Sequence, residues 1–190
     1  MEKQTIIQRF EPTFGKTMIA ALTALAQDPD ISAEGLLALC YDPPRPQIAF
    51  RSAWILEYMA VHDERRFLML LPQFLAGLPH QENRSCQRHF TKILMRITDP
   101  KAPDPYREFM FRANKDELVE VVFGWLIDPD TPVAVQVNCL DILLNLCSHA
   151  DWIAEELETQ TRHLLRRGSA AMQSRGKRVL AQLKELKTAG

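Results

Sequence analysis

The chain has 190 residues, 46% of them hydrophobic, and 23 Lys and Arg nearly balance 24 Asp and Glu. That length buries a substantial core without metals or disulfides. The charge balance speaks against a dedicated nucleic-acid binder, which carries a large positive excess. Only 7 glycines and no alternating Val/Ile/Thr runs speak against strands, so an all-α fold is expected.

The N-terminal stretch Met1 to Pro12 is polar, with Glu2, Lys3, Gln4, Gln8, Arg9 and Glu11. It has no apolar signal core, and nothing further on is long enough to span a membrane. Cys40, Cys86, Cys139 and Cys147 form no CxxC pair and sit in apolar surroundings. Reduced, packed thiols of a cytoplasmic protein are therefore expected.

Gly15 to Gln27 is predicted helical, with Met18, Ile19, Leu22 and Leu25 apolar, and Ser32 to Tyr41 forms a short second helix. Asp28-Pro29-Asp30 turns between them. Asp42-Pro43-Pro44-Arg45-Pro46 is a stiff connection, because proline restricts itself and the residue before it.

Beyond it, four segments align without gaps: Phe50–Ala60, Gln87–Ile97, Gln136–Leu146 and Gln173–Leu183. Three columns carry the alignment. They read Ala53, Phe90, Cys139, Gly176; Leu56, Ile93, Ile142, Val179; and Ala60, Ile97, Leu146, Leu183. Offsets of three, six and ten from each segment start make one helix face. The starts are spaced by 37, 49 and 37 residues. Between the segments lies a second set of apolar stripes. These are Phe67, Leu71, Phe74, Leu78; Leu118, Val121, Val122, Trp125; and Ile153, Leu157, Leu164, Leu165. Each unit is thus two amphipathic helices, and stacking on neighbours completes its core. The longer interval holds an insertion near Pro100 to Arg112, with a short helix expected from Pro105 to Phe111.

Local signals mark the boundaries. Thr131-Pro132 offers a capping hydroxyl before a first-turn proline. Asn114 and Glu117 have capping-box spacing, and Gly168-Ser169 ends one helix and caps the next. Pro72, inside an apolar stripe, predicts a kink or a helix restart.

These residues resemble HEAT repeats of the armadillo-type superhelical class. Trp125-Leu-Ile-Asp-Pro-Asp-Thr-Pro-Val-Ala-Val-Gln-Val is similar to their inter-repeat pattern, and Leu70-Leu-Pro-Gln-Phe74 to a Leu-Pro-x-Leu of second helices. Phe50-Arg-Ser-Ala-Trp-Ile-Leu-Glu57 and Ser169-Ala-Ala-Met-Gln-Ser-Arg-Gly-Lys-Arg178 resemble small bacterial HEAT-like proteins. The resemblance implies a short α-α superhelix of four to five hairpins in one domain. Its degenerate first repeat would span 14–41, with repeats at 45–79, 82–128 and 131–167 and a capping helix at 169–187. A scaffold with an extended partner surface is implied, and no common catalytic residue.

The residues point to no enzyme chemistry. No HExxH, zinc spacing, G-x-S-x-G, GxGxxG or P-loop occurs, so no metal, cofactor or catalytic residue is expected. Trp54, Trp125 and Trp152 read as packing residues. Arg51, His89, Asn138 and Arg175 occupy neighbouring repeat positions and read as a solvated edge in preference to a polar ladder. The second helices would present Gln73, Glu117, Glu120, Glu155, Thr159 and Arg162 on a concave face, to bind a protein or peptide. The alternative is nucleic-acid binding, up to a HEAT-like DNA glycosylase, through residues 161–190, whose net charge is +7 against −8 for the rest. Stacking of exposed solenoid ends would give a homodimer. A long-helix metabolic lyase does not fit the length or the lack of a Ser-rich loop.

Overall fold

The computed structural model describes residues 2–10 and 18–189. Among them every regular element is helical. The elements are α1 (Glu2–Phe10), α2 (Met18–Gln27), α3 (Ala33–Leu39), α4 (Pro46–His62), α5 (Glu64–Gly77), α6 (Arg84–Thr98), α7 (Asp104–Arg112), α8 (Asp116–Ile127), α9 (Val133–Asn145), α10 (Asp151–Leu165) and α11 (Ala170–Ala189). A 3₁₀ turn, Leu78–His80, follows α5. No helix among the described residues is long and apolar enough to cross a membrane. The chain divides into two compact units, Met1–Ile93 and Leu94–Gly190.

All twelve residues of the three aligned columns are buried. The pattern read from spacing is therefore the core side of α4, α6, α9 and α11. In the first unit the core gathers Phe67, Phe74 and Phe90, with Phe74 and Phe90 rings 4.7 Å apart. Helix contacts there join α1 to α3, α2 to α4, α3 to α4 and α5, and α4 to α5. In the second unit α9 touches α8, α10 and α11, and α10 touches α11. In each unit one helix, α3 or α9, packs on both of the helices that follow it.

The Asp-Pro turns are built alike. Asp28 Oδ1 accepts from the Asp30 N–H and Asp128 Oδ1 from the Asp130 N–H, each at 2.9 Å. Asp99 repeats the device with the Lys101 N–H at 2.7 Å. The carboxylate mimics a backbone turn while proline prevents the helix from continuing.

Several expectations shift. Residues 15–17 lie outside the described set, and α2 begins at Met18. An additional helix, α1, buries Ile6, Ile7 and Phe10 and packs on α3, which the polar composition of the segment concealed. Pro72 does not restart α5, which runs through it. Pro72 is exposed, and it leaves the Leu68 carbonyl without its helical N–H donor. Thr131 does not cap α9. Pro132 holds that position, and the Thr131 hydroxyl turns to Asp128 at 3.4 Å. Asn114 makes no capping box; its side chain accepts from the Asp116 N–H at 2.9 Å, and α8 starts one residue later. In α10 the buried stripe is Ile153, Leu157 and Thr161, with Leu164 and Leu165 only half-buried. Ser169 caps α11 as expected, accepting from Met172 N–H at 3.3 Å. Gly176 permits a close approach: an added Cβ would meet Leu165 Cδ2 at 3.0 Å and Thr161 Cγ2 at 3.2 Å.

Candidate binding surface

The solvated edge expected for Arg51, His89 and Arg175 is overturned. Arg51 is buried and donates to the Phe10 carbonyl at 3.3 Å, and burial pulls its guanidinium below the ordinary value. His89 is buried with Nδ1 2.5 Å from Glu57 Oε2, and Lys92 reaches Glu57 Oε1 at 2.9 Å. In the second unit Arg175 and Arg178 both grip Asp141. His89 and Lys92 occupy the same offsets in their aligned segment as Arg175 and Arg178 do in theirs. Each i, i+3 pair thus clamps an acid on the preceding core-column helix. Spacing alone could not show this, because the acids lie 32 and 34 residues upstream of His89 and Arg175.

The His89–Glu57 pair suggests acyl-transfer chemistry, since Ser52 Oγ and His89 Nε2 are buried without hydrogen-bond partners. The geometry denies it. Ser52 precedes Glu57 by five positions on α4, about 140° around the helix at 3.6 residues per turn. The serine and the dyad therefore look in different directions.

A cavity of about 500 Å³ in the second unit is lined by Thr98, Arg107, Met110, Lys115, Asn145 and His149, among others. Its cations are already engaged. Lys115 Nζ donates to the Met110 and Ala113 carbonyls at 2.7 and 2.9 Å, capping α7. His149 pairs with Asp116 at 2.9 Å and Arg107 with Asp104. Among the described residues no cluster of three or more His, Cys, Asp or Glu is arranged to hold a metal.

All six residues expected on the partner face are exposed. Gln73 belongs to α5 of the first unit, where it shares a helix strip with Met69, 78% exposed. The other five belong to the second unit. On α8, Glu117 and Glu120 share the exposed side with Asp116, Gly124 and Ile127. On α10, Glu155, Thr159 and Arg162 share it with Trp152. Trp152 is 51% exposed, which corrects its assignment to packing alone, and its ring stacks on Phe123 at 5.7 Å. This stack brings the start of α10 against the last turns of α8. The signal was legible: Trp152 precedes buried Ile153, so it points about 100° away from the apolar stripe.

Charge on this face is one-sided. Glu117, Glu120, Asp151 and Glu155 have no ion-pair partner among the described residues. Arg162, the one Lys or Arg on α8 and α10, is held by Glu158 at 2.8 Å. Lys187 of α11 and then Arg162 keep the Glu158 carboxyl below its usual range. The basic C-terminal segment is partly neutralised in the same way, since Arg175 and Arg178 face Asp141 and Lys187 faces Glu158.

Comparison with known protein families, curated proteins and solved structures finds no match to this chain.

Proposed function

We propose that the chain is a non-catalytic helical-repeat scaffold of HEAT type that binds a protein or peptide through the exposed, concave face of its second helices. Recurrent buried columns, α3 and α9 each packed on the two helices that follow, and repeated Asp-Pro turns support the repeat reading. One observation carries the functional part: Trp152 lies half-exposed on Phe123 among unpaired acids. An aromatic centre with a charged rim is the anatomy of a protein interface. It gives no hydrolytic or transfer centre.

Nucleic-acid binding through α11 and the turn before it is the second reading, favoured by exposed Arg166, Arg167, Lys177 and Lys184. Its weakness is that the neighbouring cations are spent internally and no exposed aromatic stands among them for bases to stack on. Affinity capture from a lysate of the source organism, with half the lysate nuclease-treated, separates the two. A stoichiometric protein that survives nuclease supports the scaffold. Recovery of nucleic acid that is lost as salt rises supports the alternative and removes the scaffold reading.

A further inference from the structure

Gly124 has no explanation within its own fold. It lies in the last turn of α8 on the exposed side, with ordinary helical backbone, and a Cβ built there would meet nothing within 4 Å. Glycine inside a helix costs stability relative to alanine, and no turn or internal close approach compensates here. A missing side chain on an exposed helix does have a use when another backbone must come close.

The surroundings say what would approach. Ile127, 54% exposed, lies one turn from Gly124, and the half-exposed Trp152 stacks on Phe123, the residue before Gly124. Around this apolar centre are Glu117, Glu120, Asp151 and Glu155, all without counter-charges among the described residues. Glu117 and Glu120 are one turn apart, a like-charge spacing that disfavours the bare helix. A cationic partner relieves that repulsion, an acidic one deepens it, and an uncharged one leaves it buried.

We propose that the α8–α10 face docks a cationic amphipathic helix of another polypeptide, crossing at Gly124 and setting an apolar side chain against Trp152. This rests on the scaffold reading and adds the chemistry of the partner. Helix-in-groove recognition supplies apolar anchors at helical spacing, and flanking Lys or Arg meets the acids. A small residue at the crossing lets the two axes reach the short end of helix-packing distances.

The test uses the full chain and a fluorescently labelled synthetic peptide of Leu, Ala and Lys with Leu at helical spacing, beside a counterpart with every Lys replaced by Glu. Anisotropy is read at low and high salt. The Lys peptide binds and weakens with salt, and the Glu peptide does not bind. Trp152→Ala, and the pair Glu120→Lys with Glu155→Lys, each weaken binding about tenfold or more. Gly124→Ala weakens binding while raising the melting temperature, so a folding defect cannot account for the loss. Undiminished binding by the charge-reversed pair, or by Gly124→Ala, overturns the proposal. So does self-association of the protein alone that the charge-reversed pair disperses, because the occupant is then a second copy. If affinity capture yields a protein that the charge-reversed pair still retains, the scaffold reading stands and this inference falls.

Discussion

Two Gly→Ala substitutions in helices are expected to change stability in opposite directions. Gly124 and Gly77 both have ordinary helical backbone in the last turns of their helices, so alanine brings each a similar intrinsic gain of at most about 0.5–1 kcal/mol. At Gly124 nothing offsets it, because the Cβ enters open space. At Gly77 the new carbon would lie 2.4 Å from Tyr41 Oη and 3.0 Å from Cζ, with the hydroxyl buried. Tyr41 packs edge-on against Phe90 at 6.2 Å, so its ring cannot swing away without disturbing the first unit's core. Overpacking of this kind costs about 1–3 kcal/mol, leaving a net loss of about 1–2 kcal/mol. At about 2–4 °C per kcal/mol for a chain of this size, Gly124→Ala should melt a few degrees higher and Gly77→Ala several degrees lower. Circular dichroism melts of the three proteins under one buffer decide the matter. A Gly77→Ala protein as stable as its Gly124→Ala counterpart would refute the packing assigned to Tyr41, and a destabilised Gly124→Ala would refute the open face of α8.

Further expectations concern the charged clamps and the thiols. Asp141→Ala strands Arg175 and Arg178 against each other and should cost about 1–3 kcal/mol, below the value for a fully buried pair because both arginines reach solvent. A double-mutant cycle with Arg175→Met measures it, and additive effects would deny the clamp. Burial alone would raise the Glu57 carboxyl, but hydrogen bonds from His89 and Lys92 outweigh it and hold the group below its ordinary value. A depressed carboxyl stabilises above its unfolded pKa and loses that contribution as pH falls through the folded one. Urea midpoints should therefore drop on the acid side, and less steeply in Glu57→Gln; equal slopes would remove the pair from the account. Burial raises the Cys40 and Cys139 thiols and pushes Cys147 up to about 11. At pH 8 about a thousandth of Cys147 is thiolate, so labelling of native protein by a thiol reagent should be slow and become complete on unfolding. Rapid stoichiometric labelling at Cys40, Cys139 or Cys147 would contradict the burial described.

The core was readable because helical periodicity is a local property. Ala53, Leu56 and Ala60 declare their face within one segment, and recurrence in three later segments fixes the columns. The insertion helix was readable too, since prolines bound its start: α7 runs Asp104–Arg112 where Pro105 to Phe111 was expected. The losses came where a residue answers to a distant partner. Arg51 looks like an edge residue until the Phe10 carbonyl is placed beside it. His89 looks solvated until Glu57 arrives from another helix. Thr131 has the chemistry of a cap, yet Asp128 in the preceding turn takes its hydroxyl first. On the candidate face, the exposed acids were readable from their place opposite the apolar stripes. Trp152 was misassigned to packing because aromatic size argued for burial, although its phase, one residue off Ile153, already pointed to exposure. Gly124 gives no sign in sequence, since a glycine in a helix reads as a weak former whether or not its surface is open.

The decisive measurement is site-specific photo-cross-linking. A photoreactive amino acid replaces Thr159, two turns along the exposed side of α10 from Trp152, and in a second protein replaces Lys184, exposed on α11. Both are irradiated in lysate of the source organism, and adducts are identified by mass spectrometry. A discrete protein adduct from position 159 and none from 184 is the expected outcome. An adduct from 184 alone, or nucleic acid attached there with nothing at 159, would contradict a partner-binding face on α8 and α10.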